Sequence, residues 1–404
     1  MRNPRLVIAG ASLLAATMAL SACGSRAEEP SGGASGGSAT KVAKIGLIAP
    51  LSGDLSAVGI GMRNSAELAI KQANEKKTIP GWTLELDAQD DQGKPDPGKN
   101  AATKLAGDDE LVAVVGTLNS SVAQSVQPVL SSAKIAQISP SNTNPTLTLG
   151  ADPTSPKRPY PGYFRTCTTD LVQGPFAAKY LLANNIKKVA TIHDKKAYGQ
   201  GLVAAFSDAF KSGGGEIVAA TTINPEDKDF SAVISKVKSA GPQGIYYGGE
   251  YPQSGPLSQQ AKAAGLTVPL MGGDGMQADG YIKLAGKSGE GDLATSVGAP
   301  PEELASAKQF IDDYKAANYE ESYGPYGALS FDAANAIING MKTSLASAED
   351  GKSARQATID AIQSGSFDGA TGDVAFDQYG DTKTKVFTAY KVEGGKWVAV
   401  KSGS

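Results

Sequence analysis

Four short stretches of small polar residues stand where apolar runs end: Leu51-Ser52-Gly53, Gly116-Thr117-Leu118-Asn119-Ser120-Ser121, Ser139-Pro140-Ser141-Asn142-Thr143 and Gly272-Gly273-Asp274-Gly275. Ser120 and Ser121 lie between the end of one apolar run and the start of a helical one. Unpaired N–H groups and the helix dipole at such a junction suit an anion, a carboxylate above all. The plainer alternative is that the serines cap the helix, and residue types alone leave both open. Other chemistry finds less support. His193 is the only histidine. No Ser or Cys nucleophile motif accompanies it, and one imidazole does not make a usual zinc site, so a structural role is expected. Asp90-Asp91 lack EF-hand spacing and read as caps on a strand end and on the turn GKPDPGK (93–99). Cys167 reads as a small buried hydrophobe. No metal, no cofactor and no catalytic residue is expected.

Positioning these stretches falls to alternating elements. Strands are expected at 42–50, 82–90, 111–116 and 136–140, with helices at 65–75, 101–109 and 121–133 between them. After a Pro-rich stretch (145–162) the alternation restarts. Strands are expected at 187–194, 216–223, 244–249 and 268–274, with helices at 200–214, 229–241 and 254–265. Two successive strand-helix-strand series imply two α/β lobes, Rossmann-like, with mainly parallel sheets covered on both faces. In such sheets ligands bind beyond the carboxyl ends of the strands, where the polar stretches fall. A dinucleotide site is disfavoured, because Gly59-Ile60-Gly61 is not continued by a third glycine at the fingerprint spacing. Trp82 and Trp397 sit in strand-like contexts and read as packing residues.

Composition narrows the partners. The chain is 41% hydrophobic and 20% charged, with a net charge of −3 and no basic blocks, which argues against nucleic acid. Arg2 and Arg5 precede an uncharged, mostly apolar run from Leu6 to Leu20. That is the length of a secretory h-region and short of the roughly 20 residues that span a bilayer. Leu20-Ser21-Ala22-Cys23 resembles the bacterial lipobox, whose cysteine receives a diacylglyceryl group and becomes the mature N-terminus. Residues 1–22 are therefore read as a lipoprotein signal peptide, and 23–40 as lipidated Cys23 with a flexible Gly/Ser tether. With Cys23 lipidated, Cys167 has no disulfide partner.

In order along the chain, KIGLIAPLSG (44–53), VGTLNSS (115–121), ISPSNTNP (138–145), FRTCTTDLVQGPFAAKYL (164–181), IHDKKAYGQGL (192–202), DKDFSAVISKVKSAG (227–241) and IYYGGEYPQSG (245–255) resemble the type I periplasmic binding proteins of ABC importers, in particular the Leu/Ile/Val-binding branch. The resemblance implies two lobes joined by a three-segment hinge: 41–168 with 298–382, and 169–297 with 383–404. It implies a non-enzymatic monomer, anchored outside the cytoplasm, that holds an amino acid, branched-chain or aliphatic, between closing lobes and passes it to a membrane permease; a ligand-sensing receptor of the same fold, and urea, short amides or polar amino acids as ligand, stay open. Ser120 matches the carboxylate-binding serine. Ser141, through its carbonyl, and Thr143 match residues that hold the α-amino and α-carboxylate groups, and Asn142 between them is expected to line the pocket. Tyr198 matches the tyrosine that covers the ligand, and Asp274 the acid that pairs with its ammonium. Tyr326, ahead of an amphipathic helix, is a candidate wall. Three departures stand out. Val58 replaces the first-loop aromatic, and Asn119 occupies one position of an absent cysteine pair. Glu250 stands where tyrosine is frequent. A second carboxylate near Asp274 would accept a basic or hydroxylated ligand, or turn to the rim. Like-charge repulsion favours the rim.

Overall fold

The structure is a computed structural model that describes residues 40–403. The leader, Cys23 and the tether up to residue 39 lie outside the described residues. Chain order is β1 (Lys41–Ala49), α1 (Ser56–Glu75), β2 (Trp82–Asp90), α2 (Pro95–Ala106), β3 (Leu111–Gly116), α3 (Ser120–Ser132), β4 (Ala136–Ser139), α4 (Thr146–Leu149) and β5 (Tyr163–Arg165). Then come α5 (Asp170–Ala183), β6 (Lys188–His193), α6 (Ala197–Ser212), β7 (Glu216–Thr222), α7 (Ser231–Ser239), β8 (Gly244–Gly248), α8 (Tyr251–Ala263), β9 (Leu270–Gly272), α9 (Asp279–Ala285) and β10 (Leu293–Val297). The chain ends with α10 (Lys308–Ala316), α11 (Gly327–Ser344), α12 (Gly351–Ser364), β11 (Ser366–Gly369), β12 (Gly372–Ala375), β13 (Phe387–Glu393) and β14 (Lys396–Gly403).

Two sheets organise the chain. The first has order β2-β1-β3-β4-β5 and is parallel throughout. The second has order β14-β13-β10-β9-β8-β6-β7, parallel except where β13 pairs antiparallel with β10 and β14. β3, LVAVVG, is buried at every residue, as a strand covered on both faces must be. α11 and α12 pack against α1 and β3, so the chain between the two strand groups of the second sheet returns to the first.

Register brings the polar stretches together. Ile48 pairs with Gly116, so the loops after β1 and β3 leave the sheet side by side. His193 pairs with Gly248 and Tyr247 with Gly272, which aligns the loops after β6, β8 and β9. α1 begins at Ser56 rather than near residue 65. Gly59 and Gly61 are its close-packing points. A Cβ on Gly59 would lie 2.0 Å from the Pro50 carbonyl oxygen, and one on Gly61 2.6 Å from that of Ser322. The glycine pair thus serves helix packing.

Candidate functional site

The two sets of loops face each other across a cavity of about 410 Å³, counted out to its mouth. From the first sheet's side it is lined by Leu55, Val58, Leu118, Asn119, Ser120, Ser141, Pro325 and Tyr326. The second sheet's side supplies Tyr198, Glu250, Tyr251, Asp274, Gly275 and Ala278.

On the first sheet's side, α3 opens with Ser120 as its first residue. Asn119 holds the N-cap position, but its side chain makes no capping bond. The serines are therefore not the cap. Val122 and Ala123 N–H return to the Asn119 carbonyl. Among the described residues, Ser120 Oγ has only a long 3.5 Å contact from Asn144 N–H. The first turn of α3 thus presents a hydroxyl and N–H groups at the cavity wall, the arrangement that attracts an anion.

On the second sheet's side, Asp274 is fully buried and accepts three bonds: from Gln173 Nε2 at 2.9 Å, Tyr198 OH at 2.8 Å and Tyr326 OH at 2.8 Å. Burial raises its carboxyl pKa and the three donors oppose that rise. The phenol pKa values of Tyr198 and Tyr326 are pushed far up, first by burial and then by the Asp274 charge, so both stay protonated donors. A buried carboxylate ringed by neutral donors and facing a cavity is a receptor for a cation.

Beside it, Glu250 is buried rather than turned to the rim. Its Oε1 accepts from Asn119 Nδ2 at 2.7 Å and its Oε2 from Lys196 Nζ at 2.8 Å. The expectation of a rim position omitted Lys196, whose charge compensates the second carboxylate. Asp194, next to this pair, is pushed up to about 7 by burial and by Glu250.

Ser120, Ser141, Tyr198, Asp274, Glu250 and Val58 thus converge on the cavity, and Asn142 and Thr143 do not line it. Asn142 is a correction. Its buried amide must be satisfied, and it turns inward to donate to the Leu118 carbonyl at 2.8 Å and accept from Tyr163 OH at 3.0 Å. Thr143 is fully buried behind the wall, its carbonyl accepting from Asp170 N–H at 2.9 Å. The Ser141 hydroxyl is within 3.1 Å of the Thr117 and Leu118 carbonyls, so it tightens the β3 loop.

Sequence reasoning missed three supports. Arg165, wholly buried, donates to the Asn142 and Asn144 carbonyls at 2.7 and 2.9 Å and pairs with Asp381 at 2.5 Å. It fixes the loop after β4. Its signal was an arginine inside the apolar run Tyr163-Phe164-Arg165. Gln173 and Lys196 hold the two carboxylates, and no local pattern announced either. Cys167 is buried, as a small hydrophobe would be. Asp90 caps the β1 loop, accepting from Leu51 N–H at 2.9 Å, and Asp91 accepts from Gly93 N–H at 2.8 Å.

Two α/β lobes with a buried, charge-complementary cavity between their strand ends define a ligand-binding protein of the two-lobed class. The sequence pattern of the periplasmic binding protein family matches residues 42–396, and the chain belongs to that family. It is similar to the Leu/Ile/Val-binding protein homolog 3 of Brucella melitensis, 34% identical over 358 residues, 88% of this chain and 93% of the relative. It is also similar to the leucine-, isoleucine-, valine-, threonine- and alanine-binding protein of Pseudomonas aeruginosa, 32% identical over 349 residues, 86% and 89% of the two chains. Among solved structures it resembles the branched-chain amino acid transporter substrate binding protein LivJ of Streptococcus pneumoniae, in complex with isoleucine. That match has a TM-score of 0.78 at 27% identity, covering 89% of this chain and 100% of the other. The family is extracytoplasmic, and no helix among the described residues is long and apolar enough to cross a membrane.

Proposed function

We propose that this chain captures an α-amino acid of short aliphatic frame between its lobes and hands it to an ABC permease. The observation that carries this is the opposition, around one cavity, of a buried carboxylate, Asp274, and the uncapped first turn of α3 at Ser120. A zwitterion supplies the cation for one and the anion for the other, and Leu55, Val58 and Leu118 receive its carbon frame. Ser120 and Ser141 act from one lobe, Tyr198 and Asp274 from the other, with Thr143 behind the wall bracing the loop. The hinge is assigned to crossovers near residues 169, 297 and 383. The protein releases its ligand chemically unchanged and works as a monomer. Acylated Cys23 and its tether keep it at the outer face of the membrane, beside the permease.

A thermal-shift screen of the twenty amino acids tests the reading. A ligand at 100 times its Kd stabilises the fold by about 2.7 kcal/mol. Leu, Ile, Val, Thr or Ala is expected to raise Tm, and no shift with any of the twenty would remove the proposal. Detergent-phase partition of the full chain, lost in Cys23→Ser, tests the anchor.

A further inference from the structure

We propose that Glu250 makes the pocket selective, within short α-amino acids, for a side chain carrying a hydroxyl, so that threonine binds in preference to its isostere valine. This rests on the amino-acid reading above and names the ligand class it selects.

Glu250 is 5% exposed and forms part of the cavity wall. An ionised carboxylate has about four lone-pair positions. Asn119 Nδ2 at 2.7 Å and Lys196 Nζ at 2.8 Å take one on each oxygen. Asn119 Oδ1 at the same end is buried with no partner among the described residues. This end of the pocket therefore keeps open acceptor positions on Glu250 and Asn119, beside the remaining protons of the Lys196 ammonium and the carboxyl of Asp194. An aliphatic ligand side chain seals those acceptors from water and returns no bond, whereas a hydroxyl donates one.

Charge narrows the class. A cationic side chain would have to approach a carboxylate that already holds the Lys196 ammonium, placing like charges together. An acidic side chain would meet Glu250 itself. A neutral donor avoids both penalties. The apolar neighbours Leu55, Val58 and Leu118 ask for a carbon branch as well, and threonine carries a methyl and a hydroxyl on one carbon. A site that binds a ligand hydroxyl rejects the analogue lacking it more strongly than an apolar pocket discriminates by one methylene.

The test is titration calorimetry of the full chain with threonine and valine, in the wild type and in the double variant Glu250→Leu/Lys196→Met, which makes this end apolar without stranding the ammonium. The expected wild-type result is threonine at least tenfold tighter than valine, with the order reversed in the double variant. Circular dichroism melts establish folding. If the double variant does not fold, Glu250→Gln, which keeps the side-chain shape and removes the charge, is expected to cut the preference at least threefold. A wild-type preference below tenfold, or one that the substitutions leave unchanged, overturns the proposal. Binding of valine without threonine overturns this inference alone, whereas absence of binding by all twenty amino acids removes the amino-acid reading itself.

Discussion

Replacing Asp274 by Asn separates what this carboxylate does for the ligand from what it does to the fold. The substitution keeps the volume and removes the charge. Asp274 is 2% exposed, and its oxygens accept from Gln173, Tyr198 and Tyr326. Truncating one partner of a buried, hydrogen-bonded charge pair costs about 2–5 kcal/mol. At 1.4 kcal/mol per decade that is roughly 30- to 4000-fold in Kd. The fold responds with the opposite sign. The raised pKa of Asp274 states that its ionised form is disfavoured by burial in the protein itself. Asn avoids that penalty: its Oδ1 can keep the bonds from Gln173 and Tyr198, and its Nδ2 can donate to the Tyr326 hydroxyl. The ligand-free variant should therefore melt at or above the wild-type Tm while its ligand-induced shift collapses. Calorimetry and thermal melts with and without ligand read both quantities. A Kd within threefold of wild type would refute the ammonium pairing. A marked fall in the ligand-free Tm would refute the burial argument.

Three further outcomes follow from the same geometry. Ser120→Ala removes a hydroxyl aimed at an anion but keeps the helix N–H groups. A hydrogen bond to a charged group is worth about 1.5–3 kcal/mol, so calorimetry should show roughly 10- to 150-fold weaker binding with unchanged Tm. Tyr326→Phe deletes the donor from the α11 side to Asp274, a bond to a carboxylate worth about 1.5–3 kcal/mol. X-ray scattering should then show a larger radius of gyration without ligand, and saturating ligand should restore the wild-type value. Asp91, wholly buried with Oδ2 unpartnered among the described residues, is pushed up to about 7, chiefly by burial. A carboxyl raised in the folded state holds a proton there that the unfolded chain has released. Its contribution is full below pH 4 and is lost as pH rises toward 7, on the order of 4 kcal/mol at 1.36 kcal/mol per unit. Denaturant melts of Asp91→Asn across that window should show a correspondingly flatter pH dependence.

Most of the framework was legible because a parallel sheet covered on both faces writes itself as short, continuous apolar runs. β2 and β3 span 82–90 and 111–116, as read from the sequence. What failed was readable only in three dimensions. Helical spacing is evident in the chain only from residue 65, whereas Gly59 and Gly61 are helix contacts in the fold, so α1 begins earlier, at Ser56. α5 contains Gly174 and Pro175, which hid a helix that packs on α6. At the site, residues on strand-end loops could be named because register forces those loops together. Whether a side chain faces the cavity or the core was beyond a one-dimensional reading, and Asn142 turned inward. Lys196 was missed because a lysine in a strand-to-helix loop looks solvated. Its partner Glu250 arrives from the next strand-end loop of the same sheet, 54 positions along the chain.

The contacts between the lobes connect binding to closure. Among the described residues, hydrogen bonds cross the cleft from Asn119 to Glu250 at 2.7 Å, Tyr326 to Asp274 at 2.8 Å, Tyr251 OH to the Asp54 carbonyl at 2.5 Å and Asn144 Nδ2 to the Ala197 carbonyl at 2.7 Å. At about 1 kcal/mol net for each bond to a carbonyl and about 1.5–3 kcal/mol for each bond to a carboxylate, they would favour closed lobes with or without a ligand. Opposing them, closure without a ligand buries the Asp274 charge with no cation and leaves the first turn of α3 with no acceptor. Both penalties vanish when an ammonium and a carboxylate enter together. A ligand moves an open-closed equilibrium only by its differential affinity for the two forms. Here that differential comes from relieving the two penalties at once, so a molecule carrying only one of the charges would relieve half of the strain and close the lobes poorly. On the proposed function, selectivity for a zwitterion and the coupling of binding to closure would be one physical term, set by Asp274 and the uncapped turn at Ser120.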